Sequence, residues 1–358
     1  MRLRDHFTRW LQGMWLLVVM ATSACLSSTE STIPTMRVAV PQDISRRVTS
    51  VAWLSTGYAI VDDTKKIWYY NAPDSRWQQL SLEPHPNCTA TLYGLLSALP
   101  DGRLGMIHTC HGYWPQRKDW GVNSIFSALA YDLRSGQLQT LAYDLPYCGE
   151  YSWNPPLERG ICSSVGSFST LYWITMTTAI PVDITLQDGD KTWHLPDSIQ
   201  AKAQFDPVRG RDEPKTVGEV KAPTWSPDGK QIAFWATLGP IGKPVDMFRN
   251  EKWNLYVMDS DTQKITTLLR DIFEPHRLKW SADGHWLVYL QATGGTIEHT
   301  IQLLSICTGQ TKAVNTGRFS EIAWSPDGKQ LLTILCQDNN CDNAELWIYD
   351  VSELVKTP

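Results

Sequence analysis

Six residues, Trp225-Ser226-Pro227-Asp228-Gly229-Lys230, return as Trp324-Ser325-Pro326-Asp327-Gly328-Lys329 and, more loosely, as Trp280-Ser281-Ala282-Asp283-Gly284-His285. Each copy is followed by a short apolar run, so each sits between two strands. Pro presets φ at the first corner of a tight turn, Asp accepts hydrogen bonds from the turn's own amides, and Gly takes the left-handed corner without steric cost. One such hairpin cannot bury its own faces, so copies spaced 55 and 44 residues apart imply repeated units that share a core. That spacing suits a four-stranded propeller blade of roughly 40–50 residues.

The signature resembles the TolB-type β-propeller repeat, found in periplasmic propellers and in the non-catalytic propellers of some serine peptidases. The resemblance covers residues 217–355 and fades earlier in the chain. Taken in order, the body nevertheless divides into six strand-rich units, at about 48–83, 91–144, 147–200, 217–270, 271–316 and 317–355. The second contains Leu99-Pro100-Asp101-Gly102-Arg103, a degenerate relative of the turn. The third lacks the signature and has a turn at Asp188-Gly189. The predicted fold is therefore all-β, a six-bladed propeller of four-stranded antiparallel blades.

The last unit stops early, because only seven residues follow Val351. An open edge would expose unpaired backbone groups, so the ring needs a strand from elsewhere. Residues 36–41 belong to no other hairpin and are the expected donor, pairing with residues 346–351.

The first residues read as an export signal. Arg2, Arg4 and Arg9 precede an apolar stretch from Trp10 to Met20 that is too short to span a bilayer comfortably and ends in small residues. Thr22-Ser23-Ala24-Cys25 resembles the lipobox of bacterial lipoproteins, which implies a lipid on Cys25, although Thr22 departs from the usual Leu. Free secretion is the alternative. Residues 1–24 are thus assigned as signal peptide, 25–35 as a polar tether and 36–358 as one propeller domain. The expected location is a bacterial cell envelope, with the chain membrane-attached through lipid.

Losing residues 1–24 removes three Arg and one Asp and takes the formal charge from −5 to −7. An acidic body argues against nucleic acid, whose binding needs clustered Lys and Arg. Eight cysteines in an exported chain point to disulfides. Sequence proximity pairs Cys88 with Cys110, Cys148 with Cys162, and Cys336 with Cys341, leaving Cys307 as a buried thiol; connectivity is not decided by sequence. The segment 171–186 is the nearest rival to a membrane span, but its β-branched alternation and Pro181 favour strands.

In a propeller blade whose strands run outward as A to D, the signature turn joins A to B on one face, and the B–C loops emerge on the other. The longest B–C loops run from His108 to Asn123 and from Ala236 to Trp253. The first carries Tyr113, Trp114, Arg117 and Trp120; the second carries Met247, Phe248, Arg249 and Trp253. Aromatic and Arg side chains on loops are typical of binding hot spots, and the competing reading is that the rings fold back to cap the propeller.

Enzyme signals are poor. There is no G-x-S, H-E-x-x-H or G-x-x-x-x-G-K-[ST] anywhere. His85, Cys88, His108, Cys110 and His111 are zinc-ligand types, but in an exported chain a Cys88–Cys110 disulfide is the stronger reading. Asp228, Asp283 and Asp327 belong to their turns, and Asp62 and Asp63 are the other acids weighed. No metal and no cofactor are expected. The function expected is a non-enzymatic, monomeric platform that binds another envelope protein. The alternatives are a glycan-binding propeller using stacked Trp, or a lactonase- or cyclase-like enzyme working at the central channel.

Overall fold

The computed structural model describes residues 33–356 apart from 43, 45–46, 83–87, 113–123, 147, 165–170, 177–178, 183, 189–190, 196–214, 241–251 and 295–296. The residues from Thr35 onward form one unit. Strand β1 (Thr35–Arg37) precedes blade one, which is β2 (Val48–Leu54), β3 (Gly57–Asp62), β4 (Ile67–Asn71) and β5 (Arg76–Gln79). Blade two is β6 (Ala90–Ala98), β7 (Leu104–His111), β8 (Ser124–Tyr131) and β9 (Leu138–Leu145). Blade three is β10 (Cys148–Trp153), β11 (Gly160–Ser164), β12 (Leu171–Ile174) and β13 (Ala179–Pro181); a separate two-stranded hairpin, β14 (Ile184–Asp188) with β15 (Lys191–Leu195), follows it. The turn beside Asp188 therefore belongs to that hairpin and not to the blade.

Blade four is β16 (Lys215–Trp225), β17 (Gln231–Pro240), β18 (Lys252–Asp259) and β19 (Ile265–Phe273). Blade five is β20 (Pro275–Trp280), β21 (Trp286–Ala292), β22 (His299–Ser305) and β23 (Thr311–Gly317). Blade six has three consecutive strands, β24 (Phe319–Trp324), β25 (Gln330–Cys336) and β26 (Ala344–Asp350), and β1 is its fourth. All six blades are antiparallel, and blades one to five are meanders of four consecutive strands. The first strands touch in a closed circuit, β2 to β6, β10, β16, β20, β24 and back to β2, so they line a central channel. Within 171–186 the described residues include β12, β13 and the start of β14, in keeping with its alternation, and among the described residues no helix is long and apolar enough to cross a membrane.

Ring closure follows the expected route. Thr35, Met36 and Arg37 pair with Tyr349, Ile348 and Trp347, and the Val38 amide adds a 2.9 Å bond to Leu346 O. Beneath this seam Val38, Ile44, Val51, Ile60, Trp68, Ile334, Leu346 and Ile348 form one buried cluster that joins the first blade to the last. The equivalent cluster between blades four and five is built on Trp235, Leu255, Leu287 and Tyr289.

The signature turn has one hydrogen-bond plan. In blade four the Ser226 and Gly229 amides donate to Gln231 O and Ser226 O (2.8 and 2.9 Å), the Gln231 amide donates to Ser226 Oγ (2.9 Å), and that hydroxyl donates to Asp228 Oδ1 (2.6 Å). Gly229 sits at φ 70°, the left-handed corner the turn requires. Blade three carries the same plan in different residues. The Asn154 amide donates to Arg159 O, the Leu157 amide to Asn154 O, and the Arg159 amide to Asn154 Oδ1, each at 2.9 Å. Leu157 occupies the left-handed corner at φ 59°. Trp153-Asn154-Pro155-Pro156-Leu157-Glu158 is thus a hidden copy of the signature in a blade whose sequence does not show one. Successive turns also stack: a Cβ on Gly229 would meet Pro155 Cδ at 2.8 Å, and one on Gly284 would meet Pro227 Cδ at 3.7 Å.

The three disulfides are Cys88–Cys110, Cys148–Cys162 and Cys336–Cys341, the pairs expected from proximity. Cys307 corrects an expectation. It is an exposed free thiol, because it lies in the outer turn joining β22 to β23 and not in a strand facing the core.

Candidate functional site

The channel has two ends of different construction. At the turn end, each innermost strand except β6 closes on a tryptophan at or next to its last residue: Trp53, Trp153, Trp225, Trp280 and Trp324. Two of these indoles tie neighbouring blades together. Trp280 Nε1 donates to Thr224 O of blade four (3.1 Å), and Trp324 Nε1 donates to Lys279 O of blade five (3.2 Å).

Toward the loop end, every innermost strand slips register against its second strand, at 48/50, 94/97, 148/150, 221/224, 276/278 and 319/321. A bulge bends the strand and re-aims its side chains, which is why bulges recur beside functional sites. In β20 the extra residue is Arg277, held at φ 46°, a conformation that costs a non-glycine residue about 1–3 kcal/mol. Its guanidinium reaches Glu321 Oε1 of blade six at 2.7 Å and Glu150 Oε1 of blade three at 3.1 Å, and its Nε donates to Ser320 O at 3.2 Å. Blades three and five are not neighbours, so this bridge crosses the channel. Glu321 raises the Arg277 pKa further, while burial draws Glu321 toward its neutral form against the pull of Arg277. Sequence reasoning missed all three residues. The available signal was charge inside otherwise apolar inner strands, in His276-Arg277-Leu278-Lys279 and Ser320-Glu321-Ile322.

The sequence-derived contact residues separate into two groups. Tyr113, Trp114, Arg117, Trp120, Met247, Phe248 and Arg249 lie outside the described residues. Trp253 is described, and it corrects the reading: it is 4% exposed, paired with Ile272 inside blade four, with the Lys221 ammonium 3.8 Å from its ring centroid. It lies at the base of the 241–251 loop as core, because its strand begins one residue before it.

The zinc-type cluster is divided. Cys88 and Cys110 are joined to each other, His108 packs against the Tyr93 ring at 5.3 Å, and His111 Nδ1 is 2.7 Å from Ser124 Oγ; His85 lies outside the described residues. Among the described residues no group of three or more His, Cys, Asp or Glu side chains is placed to hold a metal ion. Asp62 is a buried structural acid, accepting from Thr64 Oγ1 (2.6 Å), the Lys66 amide (3.0 Å) and Trp68 Nε1 (2.9 Å).

Six four-stranded blades, a lined channel and a borrowed closing strand define a six-bladed β-propeller. No protein-family model matches the chain, and no curated protein matches it by sequence. Solved structures do. An oligogalacturonate lyase from Vibrio parahaemolyticus is 12% identical, with 92% of this chain and 96% of that one covered at a TM-score of 0.51. TolB from Acinetobacter baumannii is also 12% identical, with 87% of this chain covered and a TM-score of 0.48; this chain spans 65% of its length. An oligogalacturonate lyase in complex with manganese is 15% identical over 84% of this chain and 76% of that one, at a TM-score of 0.49. At these identities the likeness is one of fold.

Proposed function

We propose that this chain is an exported, lipid-tethered propeller of the bacterial cell envelope that works as a monomeric, non-enzymatic platform for another envelope protein. The partner is met on the loop end. The observation that carries this reading is the placement of the disulfides. All three lie toward the loop end, Cys88–Cys110 where β7 leads into the 113–123 segment, Cys148–Cys162 between the two inner strands of blade three, and Cys336–Cys341 between the second and third strands of blade six. The Cys88–Cys110 staple gives the 113–123 loop a fixed base, and preorganised loops bind with less ordering cost.

The direction of β1 supports the same orientation. It runs antiparallel to β26, so Thr35 lies at the turn end and Val38 at the loop end. A tether from Cys25 would therefore join the domain on the turn face.

The alternatives draw less support. Every tryptophan whose side chain is described is buried or half-buried, which leaves no exposed stack for a sugar ring among the described residues. The channel carboxylates Glu150 and Glu321 are both engaged by Arg277.

Affinity purification of the full-length protein from gently solubilised envelopes tests the reading, run beside a Tyr113→Ala/Trp114→Ala/Phe248→Ala variant. Trp253 is left intact, since truncating a core tryptophan costs about 3–5 kcal/mol by itself. A protein retained by the native chain and lost from the variant is the expected result; equal retention by both would overturn the loop-end assignment.

A further inference from the structure

Strand β1 leaves blade six before the blade ends. Its last bond is the Val38 amide to Leu346 O (2.9 Å), and the chain then turns away toward β2. The next rung would join Val40 to Ala344, and no hydrogen bond joins them. On the other side of β26 the Gln337 amide donates to Asn343 O (2.7 Å), so strand alternation turns the Ala344 N–H and C=O away from β25 and into the gap. The gap is a cleft of about 550 Å³ at the loop end, between the segment that follows Val38 and the start of β26. Its volume falls within the ~300–1,000 Å³ of ligand pockets.

Both walls are held in place. On one side Trp77 Nε1 donates to Ala39 O (3.1 Å) and the Ile44 amide to Pro41 O (3.2 Å). On the other, the rim is fixed by the Cys336–Cys341 disulfide and by Asp338, whose carboxylate accepts from the Asn340, Asp342 and Asn343 amides (3.1, 2.9 and 2.8 Å). Arg47 pairs with Asp342 at 3.2 Å and ties the two sides together. The floor is apolar, made by the buried Val38, Ile44, Val48 and Leu346. The charges at the cleft are matched: Arg37 meets Glu345 Oε1 at 2.7 Å, and Trp347 Nε1 donates to Glu345 Oε2 at 3.0 Å. The rest of the rim is neutral amide, from Gln42, Gln337 and Asn343. An open strand rung beside an apolar floor is a template for a peptide backbone with apolar side chains, and no free charge in the cleft calls for an ionic guest.

We propose that this cleft binds an extended, uncharged peptide segment of another protein, added as a strand at Ala344 where β1 has departed, with an apolar side chain on the floor formed by Val38 and Leu346. Main-chain bonds at Ala344 hold the segment, and the floor selects its side chain. Walls already fixed admit it at little ordering cost. The site lies on blade six and does not depend on the loops of blades two and four.

Panning a displayed library of random dodecapeptides on the full chain tests it, with the best binder then made as an end-capped synthetic peptide and titrated by calorimetry. Gln42→Trp and Ala344→Phe fill the cleft without altering its floor, and Lys329→Met changes the turn end instead. Saturable binding by the native chain is the expected result, weakened at least about tenfold in both filled variants and unchanged in Lys329→Met. N-methylation of one alternate set of the peptide's amides should weaken it as much, because a strand presents every second amide to its neighbour. Thermal melts of the variants verify folding. Failure to enrich any peptide, equal binding by either filled variant, or indifference to N-methylation of both alternate sets would overturn the proposal.

Discussion

At the turn end of this propeller, blades three to six close with one hydrogen-bond plan, and Pro packs against the Gly of the next turn from blade three to four and from four to five. At the loop end the three disulfide-bearing blades are each closed differently: blade two by a disulfide at the base of a long loop, blade three by one between its two inner strands, and blade six by one that closes the connection between its second and third strands. The channel follows the same division, with a tryptophan at or next to the end of five of the six inner strands at one end and the Arg277 bridge across it toward the other. Repetition at one end fixes the scaffold. Individual solutions at the other leave room for a surface that is not itself repeated.

The sharpest way to break this contrast is at the strand that runs from one end to the other. Deleting residues 36–41 removes the β1 pairing, the Val38 bond to Leu346 and the buried Val38 side chain. Backbone bonds at about 0.5–1.5 kcal/mol each and one buried Val at ~1.5 kcal/mol predict a loss of roughly 3–6 kcal/mol, read as a lower denaturation midpoint. An unchanged midpoint would show that the ring does not depend on this closure.

Next in size is the loop-end staple of blade three. Replacing Cys148 and Cys162 together by Ser is expected to cost about 2–4 kcal/mol. Hydrogen exchange should quicken around β10 and β11 at the loop end while the Arg159 amide, in the turn, keeps its protection. Loss of protection at both ends would mean that the ends are not separate structural units.

The hidden turn gives a smaller and more pointed comparison. Ser226→Ala and Asn154→Ala each remove the side-chain acceptor of the same amide, and each should cost about 1 kcal/mol in denaturant titrations. A neutral Asn154→Ala would deny that the two turns are equivalent.

Acid separates them. The Ser226 hydroxyl, helped by the Lys230 amide and charge, holds the Asp228 carboxyl below its ordinary 3.8 against the opposing effect of burial. A depressed acid contributes stability above its unfolded value and loses it as pH falls through the folded one. Blade three has Pro156 at that place and no group to titrate. Melting temperature between about pH 5 and about pH 2 should therefore fall less steeply in Asp228→Asn than in the native chain. Equal slopes would remove Asp228 from the acid response.

These contrasts explain what the sequence makes legible. Trp-Ser-Pro-Asp-Gly-Lys is local, so the turn, the blade and the count of six can be read along the chain, and the truncated sixth blade points to its own missing strand. The copy in blade three escapes because Asn154 replaces the serine and Pro156-Leu157 replaces Asp-Gly, and only a structure shows Leu157 in the left-handed corner. The Arg277 bridge escapes for another reason. It joins residues 127 positions apart through a bulge in β20, and only the closed ring brings blades three and five face to face. Trp253 is misplaced because a loop boundary, unlike a turn, has no chemical marker.

The measurement that tests the central claim most directly places a photo-crosslinking amino acid at one position per experiment in the living cell: Trp114 or Phe248 at the loop end, Lys230 or Lys329 at the turn end. The account predicts one specific protein adduct from the loop positions and none from the turns. The same adduct from Lys230 or Lys329, with none from the loops, would contradict it.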